Sequence, residues 1–251
     1  MRALLPLEDL TYLADQAHVP YGDRSDDELA ELLAQNVAYL ESAGADAIVM
    51  GCNTSCAVAS RRGWPKASIP ILDLIDAAAR TVAHSGARRI GIIATAATAR
   101  SGAYGRAFRA LEPRLDVQEV AAPKLVPLVE SGLLRGPIVR RAVAESLAPF
   151  ELPLDALVLA CTHYPLLDAE FAAVLGGAVA RIDPALAQAD AAVAFAHARG
   201  AARGSGRTHF ATTGPAEPYR AAIESILGPL GPADTLAVHP AGVRRSGVVG
   251  L

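Results

Sequence analysis

Apolar residues in this chain come in short runs, and two of those runs end alike. Residues 47–50 (Ala-Ile-Val-Met) lead into Gly51-Cys52-Asn53-Thr54-Ser55, and residues 157–160 (Leu-Val-Leu-Ala) lead into Cys161-Thr162-His163-Tyr164. A short apolar run bounded by turn-forming residues is the signature of a strand buried on both faces. The loop beyond the C-terminal end of such a strand is where open α/β sheets place their ligands. Between the runs the period changes to that of a helix. Leu29, Leu32, Leu33, Val37 and Leu40 follow Ser25-Asp26-Asp27-Glu28, a serine with glutamate three positions on, and Gly44 closes the segment. This predicts a helix from Ser25 to about Ala43.

The same signals, taken along the chain, predict strands at 10–14, 47–50, 69–72, 89–94, 117–120, 156–160, 179–182 and 208–213. Helices are predicted from about Ser55, at 75–85, after Thr95, at 124–131 and 137–148, from about Leu166, at 184–198 and at 215–227. Residues 1–5 read as the last turn of a helix stopped by Pro6, 199–207 as a loop, and the tail from His239 as loose. Strands alternating with helices define an α/β fold with a mostly parallel sheet. An internal echo divides it. Asp73 follows Cys52 by 21 positions across a helix and a strand, and Asp183 follows Cys161 by 22 across the same elements. Two pseudo-symmetric lobes are therefore expected, 1–74 with 184–251 and 75–183, with the site in the cleft between them. A chance match between two βαβ units is the other reading of the echo.

Composition narrows the function classes. At 251 residues with 52% hydrophobic residues the chain has material for a large core, and its mean hydropathy is +0.28. The apolar runs are too short to span a bilayer, and the first residues do not form a signal peptide, so a cytoplasmic location is expected. A net charge of -3 and a pI near 6.1 give no footprint for nucleic acid. The three cysteines, Cys52, Cys56 and Cys161, have no disulfide spacing. Lys66 and Lys124, the only lysines, lack a setting for a Schiff base, and neither a Gly-x-Gly-x-x-Gly nor a phosphate-loop motif is present. No cofactor or metal is implied.

Two thiols across a cleft permit one particular chemistry. One, as thiolate, takes a proton from a carbon while the other delivers a proton to the opposite face, so the centre inverts. Helix starts favour thiolates, and both cysteines precede predicted helices. Asn53, Thr54, Thr95, Thr98 and Thr162 offer amide and hydroxyl groups to hold a substrate, and His163 and Glu130 could tune the second thiol. Other readings stand beside this one. The cysteines could be small buried residues, which is the favoured reading of Cys56. Cys52, Cys56, Cys161 and His163 could be a zinc set, although the spacing fits no common one. Cys161 and His163 could be a nucleophile pair, although residues two apart on a loop seldom face each other. His18, His84, His197 and His209 have no supporting context.

Five segments, GCNTSCAVA (51–59), ACTHYPLL (160–167), HVPYGDRS (18–25), VPLVESG (126–132) and FATTG (210–214), together resemble bacterial glutamate racemase of the aspartate/glutamate racemase superfamily. The match runs in order from about residue 2 to residue 228. The resemblance implies a cofactor-independent racemase of two α/β lobes, a homodimer, that makes D-glutamate for peptidoglycan. By motif position Cys52 and Cys161 are its two acid/bases, assisted by His163 and Glu130. Pro20, Tyr21, Gly22, Asn53, Thr54 and Thr162 hold substrate, with Thr95 and Thr98 facing it. Rival expectations are racemisation of aspartate or a related acid, which Pro20-Tyr21-Gly22 disfavours, and a non-catalytic binding protein. The resemblance also implies an earlier strand ending in Asp-Ser-Gly, whose Asp would assist Cys52. This sequence lacks that strand, so either a start upstream of Met1, the favoured expectation, or loss of the first βα unit is expected, together with a gap or exposed edge in the first lobe.

Overall fold

The structure is a computed structural model that describes residues 1–151, 153–200, 204–232 and 234–238. The tail expected to be loose from His239 lies outside the described residues, as do residues 201–203 of the predicted 199–207 loop. The chain opens with β1 (Leu10–Ala14), α1 (Asp26–Ser42), β2 (Ile48–Val49), α2 (Asn53–Arg62), β3 (Ile71–Leu72) and α3 (Leu74–His84). It continues with β4 (Arg89–Ala94), α4 (Ala96–Ser101), α5 (Ala103–Leu111), β5 (Asp116–Ala121), α6 (Leu125–Glu130), α7 (Pro137–Leu147), β6 (Ala156–Ala160) and α8 (Asp168–Leu175). The last elements are β7 (Ala180–Ile182), α9 (Pro184–Ala198), β8 (Thr208–Thr212), α10 (Ala216–Leu227) and β9 (Asp234–Val238). The predicted mixed α/β class holds, and every strand pairing among the described residues is parallel.

The main sheet has the order β5-β4-β6-β7 and is buried on both faces. Its alternation is clean. Ile90, Ile92, Ala94, Ala156, Val158 and Ala160 enter one core with residues of α1, α2, α3 and α5. Ile93, Leu157, Leu159 and Cys161 enter a second core with Val139, Val143 and Phe171. This two-sided burial is why the strands read as unbroken apolar runs. The remaining strands form two smaller sheets, β1-β8-β9 and β2-β3, so β1 and β2 each have one unpaired edge among the described residues.

Several predicted boundaries move. The strands at 47–50 and 69–72 shrink to two residues each, and Pro70, which has no N–H, sits where the second would extend. The helix expected from Ser55 begins at Asn53 with Cys52 as its N-cap. The helix expected from Leu166 is a 3₁₀ turn, Tyr164–Leu167, followed by α8. Residues 1–5 make a single hydrogen-bonded turn and no longer helix. Strand β9 was not predicted at all. The helix after Thr95 breaks in two at Gly102, whose φ of 61° and ψ of 18° are left-handed. A side chain there costs about 1–2 kcal/mol in that conformation. Gly102→Ala should lower Tm by several degrees in a calorimetric scan; an unchanged Tm would show that the break is not enforced.

The echo of Cys and Asp also has a structural counterpart. Asp73 caps α3 by accepting from Ile75 N at 2.9 Å, and Asp183 caps α9 by accepting from Ala185 N at 2.9 Å. Gln188 of α9 donates to Leu72 O at 2.6 Å and Met50 O at 3.2 Å, tying together the ends of β3 and β2 just ahead of Asp73 and Cys52.

Candidate active site

Cys161 ends β6 inside the second core and is 5% exposed. The chain then turns sharply, with Tyr164 N donating to Cys161 O at 3.1 Å. Tyr164 is fully buried, and its hydroxyl donates to Ala122 O at 2.9 Å and Ala94 O at 3.2 Å. The turn is therefore pinned to the C-terminal ends of β4, which adjoins β6, and of β5, one strand further on. It brings His163 Nδ1 to 3.8 Å from Cys161 Sγ, while His163 Nε2 pairs with Glu130 Oε1 at the end of α6. The expectation that residues two apart would not face each other is wrong here, because this turn folds the imidazole back over the sulfur. Glu130, His163 and Cys161 form one continuous chain, and Thr162 Oγ1 stands 3.5 Å from the same His163 Nδ1.

Burial pushes the Cys161 thiol up to about 12. Backbone N–H groups of His163 and Tyr164 oppose the rise, and the charge of Cys52 adds to it. Cys161 is thus within electrostatic reach of Cys52. Cys52 lies at the head of α2 and also presses upward on the hydroxyls of Tyr12 and Tyr21, behind the larger effect of burial in both cases. Cys56, one turn further along α2, is fully buried in the first core. Its thiol is raised well above the usual value, by burial first and Asp73 second, as its reading as a packing residue implies. Among the described residues, Cys52, Cys56, Cys161 and His163 do not form a metal-binding group.

Asn53 and Thr54 occupy the first turn of α2 and are buried. Thr54 Oγ1 lies 3.4 Å from both Thr95 Oγ1 and Thr98 Oγ1, and Thr95 donates to Thr98 at 3.0 Å. The three hydroxyls thus converge from α2 and the head of α4. A 3₁₀ turn, Tyr21–Asp23, capped by Pro20, packs on the same place, and a Cβ on Gly22 would stand 3.9 Å from that of Thr95. The fold therefore gathers Gly22, Thr54, Thr95 and Thr98 into one cluster and Cys161, Thr162, His163 and Glu130 into another, with Cys52 in electrostatic reach of Cys161.

Some participants were missed in the sequence. Tyr104 is fully buried, and its hydroxyl donates to Asn53 Oδ1, which leaves the Asn53 amide N–H groups free to serve as donors. A signal for it exists, since Thr95, Thr98, Ser101 and Tyr104 recur every third residue. Asp15 and Thr213 were also missed. His18, which appeared to lack context, pairs with Asp15 at 2.7 Å.

A parallel α/β scaffold with paired cysteine loops at strand ends has clear relatives. A family model described as Asp/Glu/Hydantoin racemase matches residues 7–192, and the chain belongs to that family. More particularly, it resembles proteins named glutamate racemase. One from Desulforudis audaxviator is 42% identical over 236 residues, covering 90% of this chain and 86% of the relative. The crystal structure of glutamate racemase isoform RacE1 from Bacillus anthracis superposes with a TM-score of 0.86 at 29% identity, covering 96% of this chain and 91% of that one. A glutamate racemase from Francisella tularensis, solved in complex with D-glutamate, gives 0.83 at 27% identity over 96% and 90% of the two chains. Among the described residues no helix is long and apolar enough to cross a membrane.

Proposed function

We propose that this protein interconverts L- and D-glutamate with Cys52 and Cys161 as the two acid/bases. The observation that carries the proposal is the pair of thiols beyond the ends of two separate parallel strands, with Cys161 in reach of the charge of Cys52. In one direction the thiolate of one cysteine takes the Cα proton and the thiol of the other gives its proton to the opposite face. The two sulfurs end with their protonation exchanged, and solvent resets them. Only protons move, so the step needs no cofactor.

The remaining groups have parts in the same proposal. Pro20, Tyr21, Gly22, Asn53, Thr54, Thr95, Thr98 and Thr162 hold the carboxylates and ammonium of the substrate. The free N–H groups at the start of α2, beside Cys52, favour negative charge. Glu130 fixes the ring of His163, and His163 exchanges a proton with Cys161. The lobes are residues 1–74 with 184–251 and residues 75–183. The product serves peptidoglycan synthesis in the cytoplasm, and the working form is a homodimer. Incubation of each glutamate enantiomer in deuterated water tests the chemistry. Inverted product should carry deuterium at Cα; product retaining protium, or no inversion at all, would falsify the proposal.

A further inference from the structure

The FATTG segment at the end of β8 and Asp15, the acidic residue after β1, take no part in the chemistry. The structure joins them. Asp15 follows β1, and its side chain is only 8% exposed. Three groups converge on its carboxylate. Thr213 Oγ1 donates to Oδ1 at 2.7 Å, His18 Nδ1 lies 2.7 Å from the same oxygen, and the Tyr21 hydroxyl donates to Oδ2 at 2.5 Å. Burial raises the Asp15 carboxyl, but the bonds from Tyr21, Thr213 and His18 outweigh it and hold the group below its ordinary range.

The rest of the surroundings serve the same hold. Thr213 Oγ1 also accepts from Ala17 N at 3.0 Å, and Thr212 Oγ1 donates to Gln16 Oε1 at 2.9 Å. A Cβ on Gly214 would stand 2.9 Å from that of Gln16, so the close approach of the two segments requires glycine there. Asn36 of α1 donates to the Tyr21 hydroxyl at 3.3 Å, and Arg24 Nε closes the far end on His18 O at 2.6 Å. The segment 15–24 is thus clamped at both ends, with Gly22 against Thr95 in between. A neutral amide cannot replace it, because both carboxylate oxygens accept and an amide NH2 only donates. A buried carboxylate carries a desolvation cost that is offset only when its donors are held in place. What it holds here is Tyr21.

We infer that Asp15, fixed by Thr213, is a positioning residue that acts through Tyr21 to hold the Pro20–Gly22 segment in its substrate-binding place beside Thr95. This rests on the proposed racemase function and on the assignment of Pro20–Gly22 to substrate. Asp15 itself touches neither sulfur. Loosening the segment should weaken ground-state and transition-state binding alike, which raises KM and leaves kcat in place.

Four variants of the full chain test it: Asp15→Asn, Tyr21→Phe, Thr213→Val and Thr213→Ser. Asp15→Asn should raise KM for glutamate about tenfold with kcat within about twofold. Thr213→Val should do the same more weakly, and Thr213→Ser, which keeps the hydroxyl, should restore the wild-type KM. Asp15→Asn combined with Tyr21→Phe should be no worse than Asp15→Asn alone, since both remove one interaction. Amide exchange read by mass spectrometry should speed up over residues 16–24 in Asp15→Asn and not elsewhere. Faster exchange with an unchanged KM would overturn the inference and leave the racemase proposal standing. A fall in kcat alone, or Thr213→Ser behaving like Thr213→Val, would also overturn it. Wild-type protein that does not invert glutamate would remove the racemase proposal and the inference with it.

Discussion

Replacing either Cys52 or Cys161 by serine is expected to lower kcat/KM for glutamate inversion about 10³-fold, within the range of a positioned general acid–base group. Serine keeps the polarity of the site, but its hydroxyl is a far weaker acid than a thiol and gives up its proton far less readily. Both directions must fall together. L- and D-glutamate are mirror images of equal free energy, so the ratio of the two kcat/KM values is fixed whatever the enzyme. The asymmetry lies in a different measurement. Each serine variant retains one working sulfur, which still takes the Cα proton from one enantiomer and returns a solvent proton to the same face. In deuterated water Cys161→Ser should therefore exchange Cα–H of one enantiomer without inverting it, and Cys52→Ser should do so for the other. Exchange at Cα followed by proton NMR, alongside inversion followed by polarimetry, checks both parts. If the two variants exchange the same enantiomer, the sulfurs do not flank the substrate. If either inverts glutamate within about tenfold of wild type, that cysteine is not an acid/base.

What the sequence disclosed follows from the range of each interaction. The two cysteine loops were visible because burial on both faces of β6 leaves an unbroken apolar run, and such a run must stop where polar chemistry begins. The capping box of α1 was visible because Ser25 and Glu28 are three residues apart, and both of its bonds form. The break at Gly102 was hidden because the alanine-rich stretch around it reads as one helix, and a glycine reveals its sign of φ only in three dimensions. The relay at Cys161 was misjudged from spacing alone. Loop residues two apart have no fixed geometry, and what aims His163 is Tyr164, anchored on carbonyls 70 and 42 positions away. The Asp15 clamp was hidden for the same reason, since its Thr213 partner lies 198 positions on. Strand β9 is a five-residue strand at the edge of its sheet, ordered by pairing with β8, and its own residues, Asp-Thr-Leu-Ala-Val, carry little alternation.

His163→Asn is expected to lower kcat about 10²-fold, and Glu130→Gln by less, about threefold to tenfold. The difference comes from position. His163 Nδ1 faces the sulfur at 3.8 Å, whereas Glu130 acts only on the far ring nitrogen and its side chain is 67% exposed, where water screens the ion pair. Glu130 accepts from Nε2, which leaves the Nδ1 lone pair for the thiol proton. That matters because burial holds the Cys161 thiol up to about 12, so at neutral pH the group rests as S–H. To act as a base it must first lose that proton, and the imidazole is the acceptor in reach. Without it, ionisation has to come directly from solvent. The activity of His163→Asn should then climb with pH, nearly tenfold per unit, more steeply than that of wild type. Stability runs the other way. The folded thiol binds its proton more tightly than the unfolded one, whose ordinary value is 9.0, so its contribution is full below about pH 9 and is lost toward about pH 12. Rates for wild type, His163→Asn and Glu130→Gln should therefore be taken between pH 6 and pH 9, below the alkaline loss of stability. Parallel profiles for His163→Asn and wild type would mean that the imidazole only packs against Cys161, and a steeper profile confined to His163→Asn would mean that it takes the proton.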